Sequence, residues 1–145
     1  MRTPEVLLVD DNPADTDLTS EVLARTGSPS HIHSVTDGVQ AMAFLRREGK
    51  YANAPFPNLV ILDLSLPKKD GRTVLAEVKA DPVLRRIPIA IFSTSEAQRD
   101  IVRSYELGAN CYVSKPGNLQ DFISAVTSIG EFWLGLARLP DEENL

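Results

Sequence analysis

The chain has 145 residues, 43% of them hydrophobic and 24% charged, with a formal net charge of −5. That balance suits a water-soluble fold with a sizeable core, and the acidic excess excludes a nucleic-acid surface, because phosphate binding needs a basic footprint. The lone Cys111 excludes an internal disulfide, and the longest apolar runs are far too short to span a bilayer.

With no signal peptide ahead of the first strand, the chain reads as cytoplasmic. Glu5-Val-Leu-Leu-Val9 is an apolar strand ending on Asp10-Asp11. Asn12 then reads as an N-cap, with Pro13 at the first helical position. Leu18, Val22 and Leu23 give that helix its inward face, and Gly27 is expected to stop it. Ser30 to Val35 alternates around Ile32 and reads as a half-exposed edge strand. Thr36 or Asp37 caps a second helix, whose inward residues are expected to be Val39, Met42 and Leu45, with Gly49 at its end. Lys50 to Asn58 is a loop.

Leu59 to Leu62 is a short unbroken apolar run, the mark of a strand buried on both faces of a parallel sheet. It ends on Asp63. The next helix starts near Gly71, too far downstream for Asp63 to cap it. That helix carries Val74, Leu75 and Val78 until Asp81-Pro82 breaks it. Ile87 to Phe92 is a fourth strand, followed by Ser93-Thr94-Ser95. A helix with Ile101, Val102 and Tyr105 runs to Leu107-Gly108. Cys111 to Val113 is a short fifth strand leading into Ser114-Lys115-Pro116, and a last helix runs from about Leu119 to Leu136. Five strands alternating with five helices imply one doubly wound α/β domain over 1–145, with a core over 5–136 and a polar tail at 137–145. The flavodoxin-like strand order 2-1-3-4-5 fits this count and places the first and third strands side by side.

Asp10-Asp11, Asp63, Ser93 and Lys115 then share the carboxyl edge of the sheet, where open α/β folds bind ligands. Packed carboxylates repel one another unless a cation neutralises them. Hard oxygen ligands without Cys or His favour Mg²⁺. A lysine and a hydroxyl complete the parts for phosphoryl transfer onto a carboxylate, which needs no general base because the nucleophile is already ionised. Thr94 and Ser95 offer hydroxyls as well as Ser93. His31 and His33 share one strand face, and an exposed edge strand explains them as well as a metal does. Lys68-Lys69 reads as a solvated turn, and Cys111 as a buried small residue.

The ordered set of strand-Asp10-Asp11, strand-Asp63, Leu66-Pro67-x-x-Asp70-Gly71, Ser93 and Lys115-Pro116 resembles the receiver domain of response regulators, from about Glu5 to Trp133. The resemblance implies that Asp63 is the phosphoacceptor. Asp10, Asp11 and the Ser65 backbone carbonyl would join Asp63 in holding Mg²⁺. Lys115, across a cis bond to Pro116, would pair with the phosphoryl group. Ser93 would be the hydroxyl that moves on phosphorylation and Tyr112 the aromatic switch that follows, although Tyr112 also reads as plain core. The partner implied is a sensor histidine kinase, and the chain would be a signalling protein rather than an enzyme.

Three positions depart from the family pattern: Thr94 in place of a small residue, Gly117 in place of an apolar one, and a long segment from Arg46 to Asn58. The apolar residues of the last helix spread over roughly 200° at 100° per residue, about twice what one core contact needs. The surplus reads either as an end tucked under the tail or as a homodimer surface shared with the fourth helix and fifth strand. Leu107 to Val113 and Ser128 to Leu134 resemble the stand-alone regulators of bacterial phytochrome kinases. Two rivals are a phosphorylation-independent scaffold and an aspartyl-phosphate phosphatase. The latter needs an acidic residue two positions after its nucleophile, where this chain has Ser65.

Overall fold

Short apolar runs such as Leu59 to Leu62 form strands here because both of their faces are buried. In a computed structural model describing residues 3–26 and 28–141, the strands are β1 (Glu5–Val9), β2 (His31–Val35), β3 (Leu59–Leu62), β4 (Ile89–Ser93) and β5 (Cys111–Ser114). The helices between and after them are α1 (Pro13–Ala24), α2 (Gly38–Arg46), α3 (Gly71–Ala80), α4 (Gln98–Glu106) and α5 (Leu119–Gly130). The strands pair in parallel in the order β2-β1-β3-β4-β5.

Leu7, Val9, Val60, Leu62, Ile89 and Ile91 pack on α2 and α3, while Val6, Leu8, Leu59, Ile61, Ala90 and Phe92 pack on α1 and α5. Side chains alternate faces along a strand, so a central parallel strand must be apolar at every position. β3 and β4 are buried throughout, whereas edge strand β2 is buried only at Val35.

Capping side chains set the helix starts. Asn12 accepts from the Asp15 N–H at 3.1 Å, Asp37 from Gln40 at 2.7 Å, Asp70 from Arg72 at 2.8 Å and Asn118 from Asp121 at 2.8 Å. Several ends differ from expectation. α1 closes at Ala24, with the Arg25 N–H bonded to the Val22 carbonyl at 3.0 Å; Gly27 lies outside the described residues. α2 closes before Gly49, because Arg47 takes the left-handed conformation at φ 56° and the Glu48 N–H reaches the Ala43 carbonyl at 2.9 Å. Val39 is 50% exposed rather than inward. The buried stripe is Ala41, Met42, Phe44 and Leu45, and Val39 lies roughly 140° round the helix from its centre.

The last helix is not one α-helix to Leu136: it turns π-helical over Glu131–Leu136. Trp133, Leu134 and Leu139 pack on the α1/α5 side of the core. Asn58 pins the tail, donating to the Pro140 carbonyl at 2.9 Å while accepting from the Glu5 N–H at 2.8 Å. The tucked-end reading therefore accounts for Trp133 and Leu134, but Phe132 and Leu136 stay 50% and 74% exposed.

Candidate functional site

The pairing of Val9 with Leu62 puts the residues after both strands side by side. The Asp63 N–H donates to the Val9 carbonyl at 2.9 Å and the Asp10 N–H to the Val35 carbonyl at 3.2 Å. Each carboxylate is then anchored locally. Asp10 Oδ1 accepts from the Asn12 N–H at 3.0 Å, and Asp63 Oδ1 from the Ser65 N–H at 3.1 Å. The loop after Asp63 folds back tightly over α3: a Cβ on Gly71 would sit 2.3 Å from the Asp63 carbonyl oxygen and 2.7 Å from Leu64 Cα. This packing explains why glycine stands there.

Lys115 enters from β5, its N–H bonded to the Ser93 carbonyl at 2.7 Å. Its Nζ lies 2.7 Å from Asp10 Oδ2, 2.9 Å from Asp15 Oδ2 and 3.0 Å from Asp63 Oδ2, with the side chain 3% exposed. The bond between Lys115 and Pro116 is trans, as no cis peptide bond occurs among the described residues. That corrects the expectation of a cis bond: the lysine reaches Asp63 from the trans chain.

Carboxylate oxygens of Asp10, Asp11 and Asp63 lie within 4.8 Å of one another, the one group of metal-ligating side chains among the described residues. One ammonium cannot neutralise four carboxylates. Burial pushes Asp10 above the usual carboxylate range, and the Asp63 charge adds to that, outweighing its hydrogen bonds from Lys115 and Asn12. Burial alone would lower Lys115, but its hydrogen bonds to Asp10 and Asp15 and the charge of Asp63 drive it far up, so it stays protonated. A cluster of hard oxygen donors with unbalanced negative charge and no His or Cys fits a divalent cation.

Ser93 is fully buried, and its Oγ accepts from the Ser95 N–H at 3.5 Å. Thr94 is exposed. Tyr112 packs against the α2/α3 side of the core and donates its hydroxyl to the Ser95 carbonyl at 2.8 Å. Ser95 Oγ in turn bonds Asp100 Oδ2 at 2.5 Å, and Arg72 Nη2 bonds Asp100 Oδ1 at 2.7 Å. This network ties the β4–α4 loop to α3. Neither it nor Asp15 is part of the expected constellation. Asp15 had one signal in the chain: it sits in the first turn of a helix that begins directly after Asp10-Asp11.

The remaining candidates fall outside the site. His31 Nδ1 and His33 Nε2 lie 2.7 and 2.8 Å from the two oxygens of Glu5, which explains the pair without a metal. Lys68 is exposed, but Lys69 is not a solvated turn residue: its Nζ is held by Glu77 at 2.6 Å. Cys111 is half-buried, and burial raises its thiol, as suits an unreactive residue.

The family model of the response regulator receiver domain matches residues 6–127. The chain belongs to this family. Response regulator Rcp1 of Synechocystis sp. is 48% identical over 135 residues, covering 93% of this chain and 92% of Rcp1. The solved Mn²⁺-bound form of Rcp1 superposes with a TM-score of 0.92 at 47% identity, over 94% of this chain and 99% of that one. The phosphorylated cyanobacterial phytochrome response regulator RcpA gives a TM-score of 0.93 at 51% identity, over 97% and 100% of the two chains. The receiver is thus a response regulator of two-component signalling, whose upstream partner is a histidine kinase. Among its described residues no helix is long and apolar enough to cross a membrane.

Proposed function

We propose that this receiver, a single domain over 1–145 in the cytoplasm, takes a phosphoryl group from the phosphohistidine of a sensor kinase onto Asp63. The observation that carries the reading is the Lys115 ammonium bridging Asp63 and Asp10 beside the convergent Asp11 carboxylate. A carboxylate oxygen of Asp63 bonds phosphorus as the phosphorus–nitrogen bond breaks, and the electron pair leaves on the imidazole. Lys115 stays within reach of the transferred oxygens and offsets their charge. Asp10, Asp11, Asp63 and the Ser65 carbonyl would hold Mg²⁺, which would supply charge neutralisation to the phosphoryl oxygens when bound.

Ser93 is the hydroxyl that turns to the phosphoryl group, giving up its contact with Ser95. Because the Ser95 carbonyl also holds the Tyr112 hydroxyl, movement of Ser93 shifts Tyr112 and with it the face built from α4, β5 and α5. Hydrolysis of the acyl phosphate is slow, since Ser65 provides no acid or base near the leaving oxygen. The likeness to RcpA supports a phytochrome histidine kinase as the partner. The exposed Phe132 and Leu136, next to α5, support a homodimer through the last helix and the α4/β5 face.

Intact-protein mass after incubation with Mg²⁺ and acetyl phosphate tests the reading. One metal-dependent phosphoryl adduct in the wild type, absent in Asp63→Asn, is expected. No adduct in the wild type, or an equal adduct in the variant, would overturn it.

A further inference from the structure

A lysine ammonium has three protons, and Lys115 directs them at three carboxylates, Asp10, Asp15 and Asp63. Two of the three partners have competing work, because Asp10 and Asp63 belong to the convergent trio that fits a divalent cation. Asp15 does not belong to that trio. It is a carboxylate near the site with Lys115 as its charge partner, at 2.9 Å. Its backbone is also fixed: Pro13 starts α1, and the Asp15 N–H is bonded to the Asn12 side chain. Asp63, by contrast, loses its carboxylate charge when one of its oxygens bonds phosphorus in the acyl phosphate, a mixed anhydride.

We propose that Asp15 is a positioning residue for phosphoryl transfer, holding the Lys115 ammonium at the reacting carboxylate from the α1 side. Asp10 and Asp63 give up part of their hold on Lys115 as the site takes on cation and phosphoryl group, and Asp15 keeps its own. The ammonium is therefore still aimed when the phosphoryl oxygens arrive. The proposal rests on Asp63 being the phosphoacceptor. It also opposes a simpler electrostatic expectation. Were Asp15 only one more negative charge near an anionic donor, removing it would speed transfer.

The test is the rate of acetyl-phosphate adduct formation at saturating Mg²⁺ in wild type, Asp15→Asn, Lys115→Met and the double variant. It is joined by the Lys115 ammonium ¹⁵N–¹H signal of the metal-free protein, which reports the contact without any reaction. The expected result is an approximately tenfold slowing in Asp15→Asn, the loss of one charge-assisted hydrogen bond to a positioned group. No further slowing follows in the Lys115→Met background, because the effect runs through the lysine. The ammonium signal moves in Asp15→Asn. An unchanged or faster rate, equal slowing in both backgrounds, or an unmoved signal would each overturn the proposal while the wild-type adduct upholds Asp63. Absence of a wild-type adduct would remove the phosphoacceptor and the role of Asp15 together.

Discussion

Neutralising Asp63, the proposed phosphoacceptor, should stabilise the metal-free protein. In Asp63→Asn the side chain keeps its shape and its oxygen can still accept from the Ser65 N–H, so the change is chiefly one of charge. The attraction lost is that of Lys115 at 3.0 Å, about 5.5 kcal/mol at an effective dielectric of about 20. The repulsion relieved from Asp10, within 4.8 Å, is about 3.5 kcal/mol on the same scale. Asp11 is exposed and adds only about 1 kcal/mol at the dielectric of water. The deciding contribution is the desolvation of a buried carboxylate, several kcal/mol, which the asparagine avoids. The balance favours the variant by about 2 kcal/mol, or about 6 °C in Tm for a chain of this size. Differential scanning calorimetry in EDTA reads this directly. Excess Mg²⁺ should narrow or reverse the gap, because the wild type gains more from binding. A variant that melts at or below the wild type in EDTA would refute the reasoning.

Three other outcomes follow from the same geometry. Gly71→Ala should destabilise by about 2–3 kcal/mol and slow adduct formation, because its Cβ would push on the backbone of Asp63 and Leu64, as urea titration and adduct kinetics will measure. Asp100 is held below the usual carboxylate range by the Ser95 hydroxyl and then by Arg72. A lowered folded pKa contributes stability above the ordinary Asp value of about 3.9 that is lost as pH falls through the depressed one. The stability advantage of wild type over Asp100→Asn, followed by urea titration, should therefore be full near neutrality and vanish in that acid window. For the proposed homodimer, replacing Phe132 and Leu136 together by serine should shift sedimentation equilibrium toward monomer, while circular dichroism keeps the wild-type fold because both side chains are exposed.

The framework was legible because few physical signals decide it. Runs such as Leu59 to Leu62 admit only a doubly buried strand, and their carboxyl ends carry the charged residues, so Asp10, Asp63 and Lys115 could be brought together before any coordinate. Other features depend on three-dimensional neighbours that composition does not reveal. Arg47 closes α2 because its backbone takes a left-handed turn, which Gly49 advertised more loudly. Val39 is apolar but lies roughly 140° round α2 from the centre of the buried Ala41, Met42, Phe44 and Leu45 stripe, so it misses the core. Asp15 is an acidic residue of a helix's first turn, and only the reach of Lys115 across the sheet edge ties its carboxylate to the site. The Arg72–Asp100–Ser95 network joins three segments whose spacing has no period. The π-helical turn over Glu131–Leu136 left no mark in the apolar pattern, which continues through it.

The most direct test of the central claim is to find where the phosphoryl group resides. The protein is incubated with Mg²⁺ and acetyl phosphate, reduced with borohydride, which converts an aspartyl phosphate to homoserine, and mapped by peptide mass spectrometry. The account predicts homoserine at position 63 alone, and only when Mg²⁺ was present. Homoserine at position 10, 11 or 15, or none at 63 despite an intact phosphoryl adduct, would contradict it.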